Sequence, residues 1–376
     1  MAVAVALLVI VVGSVLFHLA SPWWLTPLAS HWQQMDNTLA ITLAITGAFF
    51  VVINLFVAYT LIRHRHRPGR RAAYEPENHR LERWLIGITT VGIVALLAPG
   101  LVVYAEYVQP PRDALVVEVL GQQWQWRYRF PGAGGTLGRS DARFVSSANP
   151  FGLDPADPAA QDDLLVGANE LHLPLGKPVK LLLRSLDVLH DFYVPPFRAR
   201  MNMVPGMVTW FWFTPTTAGR FEALCAQLCG VGHPEMRGYV VVEDEAAFQA
   251  WLRAQPSFAV SVAPPGAAPG GSPVAQGLTL SRSKGCVACH TVDGSAAVGP
   301  TWRGLYGRTE TFADGSNARV DEAFLNTEIR DPKARVAKGF APVMPQIELS
   351  DAEREALVAY IRSLGGDGAP APPQQQ

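Results

Sequence analysis

No lysine or arginine precedes Arg63 in this 376-residue chain, which holds 31 of them in all. Long apolar runs fill those first positions, and runs of that length are covered most economically by lipid. Residues 37–62 and 84–105 are each long enough, as helices, to cross a hydrocarbon layer of about 30 Å. Residues 2–17 are shorter and fit either a secretory signal or an extra membrane helix. They lack the positively charged start of a signal, which favours a retained helix. A basic stretch, Arg63 to Arg71, followed by Arg80 and Arg83, separates the second and third runs. Short loops rich in Lys and Arg stay in the cytoplasm, so the third run carries the chain outward and everything after about residue 108 is expected outside. His64 and His66 belong to that solvated loop on this reading, not to a metal site.

Beyond the third run the chain reads as soluble. Ten Trp, seventeen Phe and nine Tyr supply enough apolar surface for a packed core, which excludes a disordered chain. A formal net charge of −1 and no basic stripe exclude a nucleic-acid surface. From Ala114, β-rich runs punctuated by turn residues predict strands over 114–120, 123–130, 165–173, 178–185, 208–213, 219–224 and 238–242, the pattern of an all-β Greek-key sandwich or barrel. Asp154, Asp162 and Asp163 mark an acidic loop among them, either simply solvated or set to steer a basic partner by charge, and a short amphipathic helix over about 244–254 closes the domain. Residues 255–277, rich in Ala, Pro and Gly, read as a flexible linker. A second soluble domain follows over 278–365, with helices near 275–284, 321–329 and 351–364, and the Gly-, Pro- and Gln-rich tail 366–376 is expected to be disordered. The division is therefore an apolar N-terminal segment (1–36), a transmembrane hairpin (37–110), a β domain (111–254), the linker, the second domain and the tail.

The four cysteines form two close pairs. In the first, Cys225-Ala-Gln-Leu-Cys229-Gly-Val-Gly-His233-Pro-Glu-Met236 places four soft donors within twelve residues. Thiolate, imidazole and thioether together favour copper over hard cations. Two thiolates also permit bridges between two coppers, where a mononuclear blue-copper site needs one. Structural zinc is the rival reading of two Cys and two His, but Met236 suits it poorly. The second imidazole falls to His190, just after a predicted strand, with His172 as competitor; His172 alternates with Leu171 and Leu173, which makes it solvent-facing. Met201, Met203 and Met207 could line a copper-delivery path, but packing is the plainer reading.

With these residues in view, and with Gly121-Gln-Gln-Trp-Gln-Trp-Arg-Tyr-Arg-Phe130 and Val204-Pro-Gly206 beside them, residues 37–245 resemble subunit II of the haem–copper cytochrome c oxidases. That resemblance implies a two-helix hairpin followed by a cupredoxin barrel with a dinuclear CuA centre. It implies that Cys225 and Cys229 bridge the coppers, that His190 and His233 each bind one, and that Met236 and the Gln227 backbone carbonyl bind one each. Trp124 then matches the aromatic residue through which electrons come in, with core packing as its plainer role. Two departures stand out. Many members have Glu at the position of Gln227, where it also helps to hold Mg²⁺, and that ligand does not carry over. The third apolar run shows Trp84-Leu-Ile-Gly where the family has a Trp-Thr-x-x-Pro pattern, and Glu82 is out of register with the family's proton-uptake carboxylate.

The second cysteine pair, Cys286-Val-Ala-Cys289-His290, has the spacing of covalent c-type haem attachment. Zinc or a redox dithiol would also use the two cysteines, but neither needs the adjacent His. By elimination Met344, the sole Met after residue 286, is the second axial ligand, and a Met/His iron has no open position for chemistry. Residues 278–365 resemble the class I cytochromes c, with an all-α fold. By that match the Pro300 carbonyl accepts the His290 Nδ1–H bond.

Neither site offers an open catalytic position, so the two together read as a relay. Subunit II with a fused cytochrome c is the arrangement of caa3-type oxidases. The resemblance implies one covalent haem c and one CuA. It also implies subunit I, which holds haem and CuB and reduces O₂ to water with proton pumping, and the company of subunit III. A soluble or membrane cytochrome c, or another donor, would feed the haem. The location implied is a bacterial inner membrane, multi-pass in the bilayer, with both soluble domains on the periplasmic side. Two other readings are a CuA-bearing nitric oxide reductase subunit and a membrane-anchored copper carrier; the latter has no use for Cys286–His290 or Met344.

Overall fold

In the computed structural model, residues 2–21, 26–69, 71, 77–146, 148–167, 169–262, 272–295 and 297–365 are described. The central part of the expected linker (263–271) and the expected disordered tail (366–376) lie outside the described residues, as do parts of the basic loop. The described chain divides into two compact units, one of residues 2–109 with 196–198, the other of the remainder.

The first unit consists of three helices, α1 (Ala2–Ala20), α2 (Gln33–Arg63) and α3 (His79–Tyr107), all long and apolar enough to cross a membrane. Side chains such as Phe56, Leu85, Ile86 and Val94 are exposed along them, as lipid-facing positions are. Residues 2–17 are thus fully helical, and α2 and α3 extend beyond the apolar runs into polar flanks. α3 starts where the Asn78 side chain accepts a hydrogen bond from Leu81 N, a local N-cap.

The second unit opens with two five-stranded sheets packed face to face. One has the order β3 (Leu164–Val166), β2 (Gln125–Phe130), β1 (Leu115–Gln122), β5 (Val179–Ser185), β8 (Thr209–Phe213). The other runs β4 (Glu170–Pro174), β10 (Arg237–Glu243), β9 (Gly219–Cys225), β6 (His190–Val194), β7 (Ala199–Met203). β1 runs parallel to β5 and β4 to β10; every other pairing is antiparallel. Alternation sends Val117, Val119, Leu181, Leu183, Phe211 and Phe213 inward, where all are buried, as are Phe192 and Tyr128. The predicted run 165–173 breaks into β3 and β4, and β6 and β7 are additional to the predicted set.

Three departures from the sequence reading concern polar segments. The short helix α4 (Pro158–Gln161) lies in the acidic loop, and Asp163 at its end is wholly buried, not solvated. Its Oδ2 receives Arg129 Nη1 at 2.6 Å, while Arg129 also grips Glu118 through Nε at 2.6 Å, and Arg184 adds a third contact to Glu118 at 2.8 Å. After α5 (Glu245–Arg253), residues 256–262 are not linker. Leu165 N bonds Pro256 O, Phe258 N bonds Asp163 O, and the one-turn helix α6 (Phe258–Ser261) buries Phe258 among Leu120, Phe151 and Leu153. His172 is not solvent-facing: its Nδ1 lies 2.7 Å from Glu243 and its ring stacks on Trp251.

The remaining module comprises α7 (Pro273–Ser283), a small hairpin β11 (Thr309–Thr311) and β12 (Asn317–Arg319), α8 (Glu322–Arg330) and α9 (Asp351–Ser363). α7 crosses α9 where Gly277 lies against the Ala356 carbonyl and Tyr360, a place with no room for a Cβ. α9 begins with a capping box between Ser350 and Glu353. Trp302, Leu305, Val320, Leu325, Leu357 and Ile361 form its core.

Candidate metal and haem sites

The first site is built by the β9–β10 hairpin. β9 ends at Cys225, β10 begins at Arg237, and the Cys225 amide bonds the Met236 carbonyl, which closes a loop carrying Cys229, His233 and Met236 between them. β6 pairs with β9 so that Phe192 opposes Cys225, which brings His190, at the start of β6, beside the same loop. Gly121 on β1 makes room for the ring, since a Cβ there would lie 3.0 Å from the His190 imidazole.

The donors converge. Cys225 Sγ is 3.8 Å from Cys229 Sγ and 3.9 Å from His190 Nδ1, and it lies 3.1 Å from the Gln227 carbonyl oxygen. Cys229 Sγ is 3.5 Å from His233 Nδ1 and 3.9 Å from Met236 Sδ. Such separations are those of neighbouring ligands on first-row ions with bonds of about 2.0–2.3 Å. Burial opposes ionisation of both thiols. At Cys225, contacts from His190, the Asp191 and Gln227 backbone and His233 outweigh it and bring the thiol down to about 7. At Cys229, burial and then the neighbouring Cys225 push it up to about 12. Two thiolates this close in a buried pocket call for added positive charge, and the soft donors fit copper. His172 takes no part.

Residues that sequence reasoning passed over complete the site. Asp187 Oδ1 lies 2.8 Å from His190 Nε2, and its Oδ2 accepts the Gln123 amide at 2.7 Å. This carboxylate turns the His190 ring so that Nδ1 faces the thiols, as outer carboxylates do for metal-bound imidazoles. Its position three residues before His190 was the available signal. Gln123 Nε2 and Trp124 Nε1 both donate to the Cys229 carbonyl, at 2.8 and 3.2 Å. Gly232 accommodates the indole, because a Cβ there would fall 2.3 Å from the Trp124 ring. The Met run divides: Met203 is buried opposite His190 in the β6–β7 register, whereas Met207 is exposed.

The second site is an apolar cavity in the C-terminal module. Cys286, Cys289, His290 and Met344 all line it, among Leu305, Phe324 and Ile329. His290 Nδ1 donates to the Pro300 carbonyl at 2.8 Å, and Trp302 stacks on the ring with centroids 5.3 Å apart. Burial lowers the His290 pKa against the opposing pull of Pro300, which keeps the ring neutral and leaves Nε2 a lone pair. Gly299 is required by closeness, since a Cβ would stand 2.7 Å from the imidazole. Burial pushes the Cys286 thiol up to about 11, as suits a thiol in an apolar wall. The donor pair and apolar walls fit a c haem. Gln123 and Trp124 of the β domain line the same cavity.

The comparisons with known proteins agree with this division. The family model described as cytochrome c oxidase subunit II, periplasmic domain, matches residues 115–244, and that described as cytochrome c matches residues 274–365. The alternative cytochrome c oxidase subunit 2 of Bradyrhizobium diazoefficiens is 57% identical over 259 residues, which cover 69% of this chain and 94% of that one. The cytochrome c oxidase subunit 2 of Alkalihalophilus pseudofirmus is 24% identical over 349 residues, 90% of each chain. With a sulfur- and imidazole-lined loop in the first matched region and a haem-attachment motif in the second, the chain belongs to the cytochrome c oxidase subunit 2 family and carries a cytochrome c domain at its C-terminal end.

Proposed function

We propose that this chain is the electron-input subunit of a caa3-type haem–copper terminal oxidase. It would pass electrons from one covalently bound c haem through a dinuclear CuA centre to subunit I, which reduces O₂ to water and pumps protons. The observation that supports this most directly is the convergence of Cys225, Cys229, His190, His233 and Met236 on one hairpin loop. When bound, the copper pair and the haem iron supply one-electron carriers whose ligands rearrange little on transfer.

The chain's own residues do the rest. Cys225, Cys229, His190, His233, Met236 and the Gln227 carbonyl would together hold the copper pair. Cys286 and Cys289 would anchor the haem, and His290 and Met344 would bind its iron. Asp187 and Pro300 fix the tautomers of His190 and His290. Trp124, bonded to the Cys229 carbonyl and present in the wall of the haem cavity, is the electron-input residue. The three helices anchor the chain in the bacterial inner membrane, with both soluble domains on the periplasmic side, in contact with subunit I and subunit III. A cytochrome c or comparable donor feeds the haem.

The test is an electron paramagnetic resonance spectrum of the copper-loaded full chain, with optical titration alongside. One electron shared over two coppers, together with a low-spin c haem, is the expected result. A mononuclear copper signal, or zinc without haem, would overturn the proposal.

A further inference from the structure

Among the described residues, the charged side chains that line the haem cavity are Lys284, Glu310, Glu328 and Arg335. Lys284 pairs with Glu353 at 3.2 Å and Glu310 with Arg308 at 2.7 Å, and neither Glu353 nor Arg308 belongs to the wall. Glu328 and Arg335 instead pair with each other, so both halves of one ion pair border the cavity.

Glu328 projects from α8, and Arg335 follows in the segment that leads to α9. The guanidinium meets the carboxylate edge-on, with Nε at 2.9 Å and Nη2 at 2.7 Å from the same oxygen, Oε1. It also lies 4.9 Å from the centre of the Phe312 ring and 5.1 Å from that of Phe324, two rings 5.9 Å apart. Phe312 is buried, and the Glu328 side chain is only 17% exposed. Burial pushes the Glu328 carboxyl above its ordinary 4.5, with Arg335 opposing and Asp331 adding to the rise. The field of Arg335 also reaches Asp314. Charges enclosed by apolar walls act more strongly at a distance than charges in water.

We propose that Glu328 and Arg335 set the reduction potential of the c haem as two opposed charges, the carboxylate favouring oxidised iron and the guanidinium reduced iron. The inference rests on the haem reading above and adds the residues that poise the haem against copper. Iron that gives up an electron gains one positive charge, which an enclosed carboxylate stabilises and an enclosed guanidinium opposes. Held together, the two nearly cancel. Loss of either partner alone should therefore move the potential, in opposite directions, and loss of both should not. An ion pair that only braces the fold carries no such sign.

The experiment is an optical redox titration of the copper- and haem-loaded full chain at low salt and about pH 8, well above the ordinary range of a carboxylate. Glu328→Gln is expected to shift the haem–copper electron equilibrium about tenfold toward reduced haem, or about 59 mV for a one-electron couple. Arg335→Gln should shift it a similar amount toward oxidised haem. Arg335→Lys, which keeps the charge, and the double variant Glu328→Gln/Arg335→Gln should each stay within about twofold of the wild type. The low-spin haem spectrum and the copper potential serve as checks that the sites are intact. Should Glu328→Gln lose that spectrum, Arg335→Gln against Arg335→Lys carries the test alone. Shifts under about twofold, or shifts of the same sign in both single variants, would overturn the charge pair and leave the relay standing. A wild-type chain without a low-spin c haem would remove the haem reading and the charge pair together.

Discussion

Asp187 shows how much a single side chain can organise. It ties the His190 ring to the backbone of Gln123, so one carboxylate sets both a metal ligand and the neighbour of Trp124. Asp187→Asn keeps the shape but loses the charged acceptor, and copper affinity is expected to fall about 10- to 100-fold, measured by competition with a chelator. Gly232→Ala is expected to leave copper loading intact while its Cβ displaces the Trp124 indole. Haem-to-copper electron transfer should then slow, and flash photoreduction would show it; an unchanged rate would remove Trp124 from the path. Cys225, Cys229, His233, Met236 and the Cys286–His290 motif were legible because their donors lie close in sequence. Asp187, Gly121 and Gly232 were not, since what each touches is settled by strand pairing and loop closure.

At the scale of elements, the acidic loop and the first strands are held by one buried ion cluster. Arg129 bridges Glu118 on β1 and Asp163 below the loop, with Arg184 of β5 at the far side. Arg129→Met takes the cation from buried Asp163 and leaves Glu118 with Arg184 alone, for which a loss of about 3–5 kcal/mol and a clear drop in melting temperature are expected. Asp163 also gives the barrel a pH signature. Burial outweighs Arg129 and the Gly138 amide and raises its pKa from 3.8 to about 6, and among the described residues its Oδ1 has no hydrogen-bond partner. A raised carboxyl pKa means that the folded state holds the proton more tightly than the unfolded chain. This contribution is full below pH 3.8 and is lost as pH climbs through about 6. Chemical denaturation across that window should show the slope, and Asp163→Asn should flatten it. In the C-terminal module, Ser350→Ala breaks the capping box of α9 and should cost about 1 kcal/mol in the same assay. The sequence reading saw Asp162-Asp163 as solvated because a local run of carboxylates looks exposed; the compensating Arg129 is 34 positions away. It passed over β6 and β7 because Pro195-Pro196 and the intervening charges hide their alternation.

Across the whole molecule, the order of parts was plain from composition: cation-free apolar runs, turn-punctuated strands, a Pro- and Gly-rich stretch, then a module around Cys286–His290. The edges of the linker were not, because residues 256–262 have a linker's composition yet lie on the barrel through Phe258 and the Pro256 carbonyl. That anchored turn has a kinetic consequence. The chain leaves the barrel at Val262 and re-enters regular structure at Pro273, so only the nine residues 263–271 and their junctions are available to span the gap. Nine residues reach at most roughly 30 Å, which holds each haem at a high effective concentration over the copper site of its own chain. Each haem then serves its own copper, and transfer between them should be first order, with a rate unchanged on dilution of the enzyme.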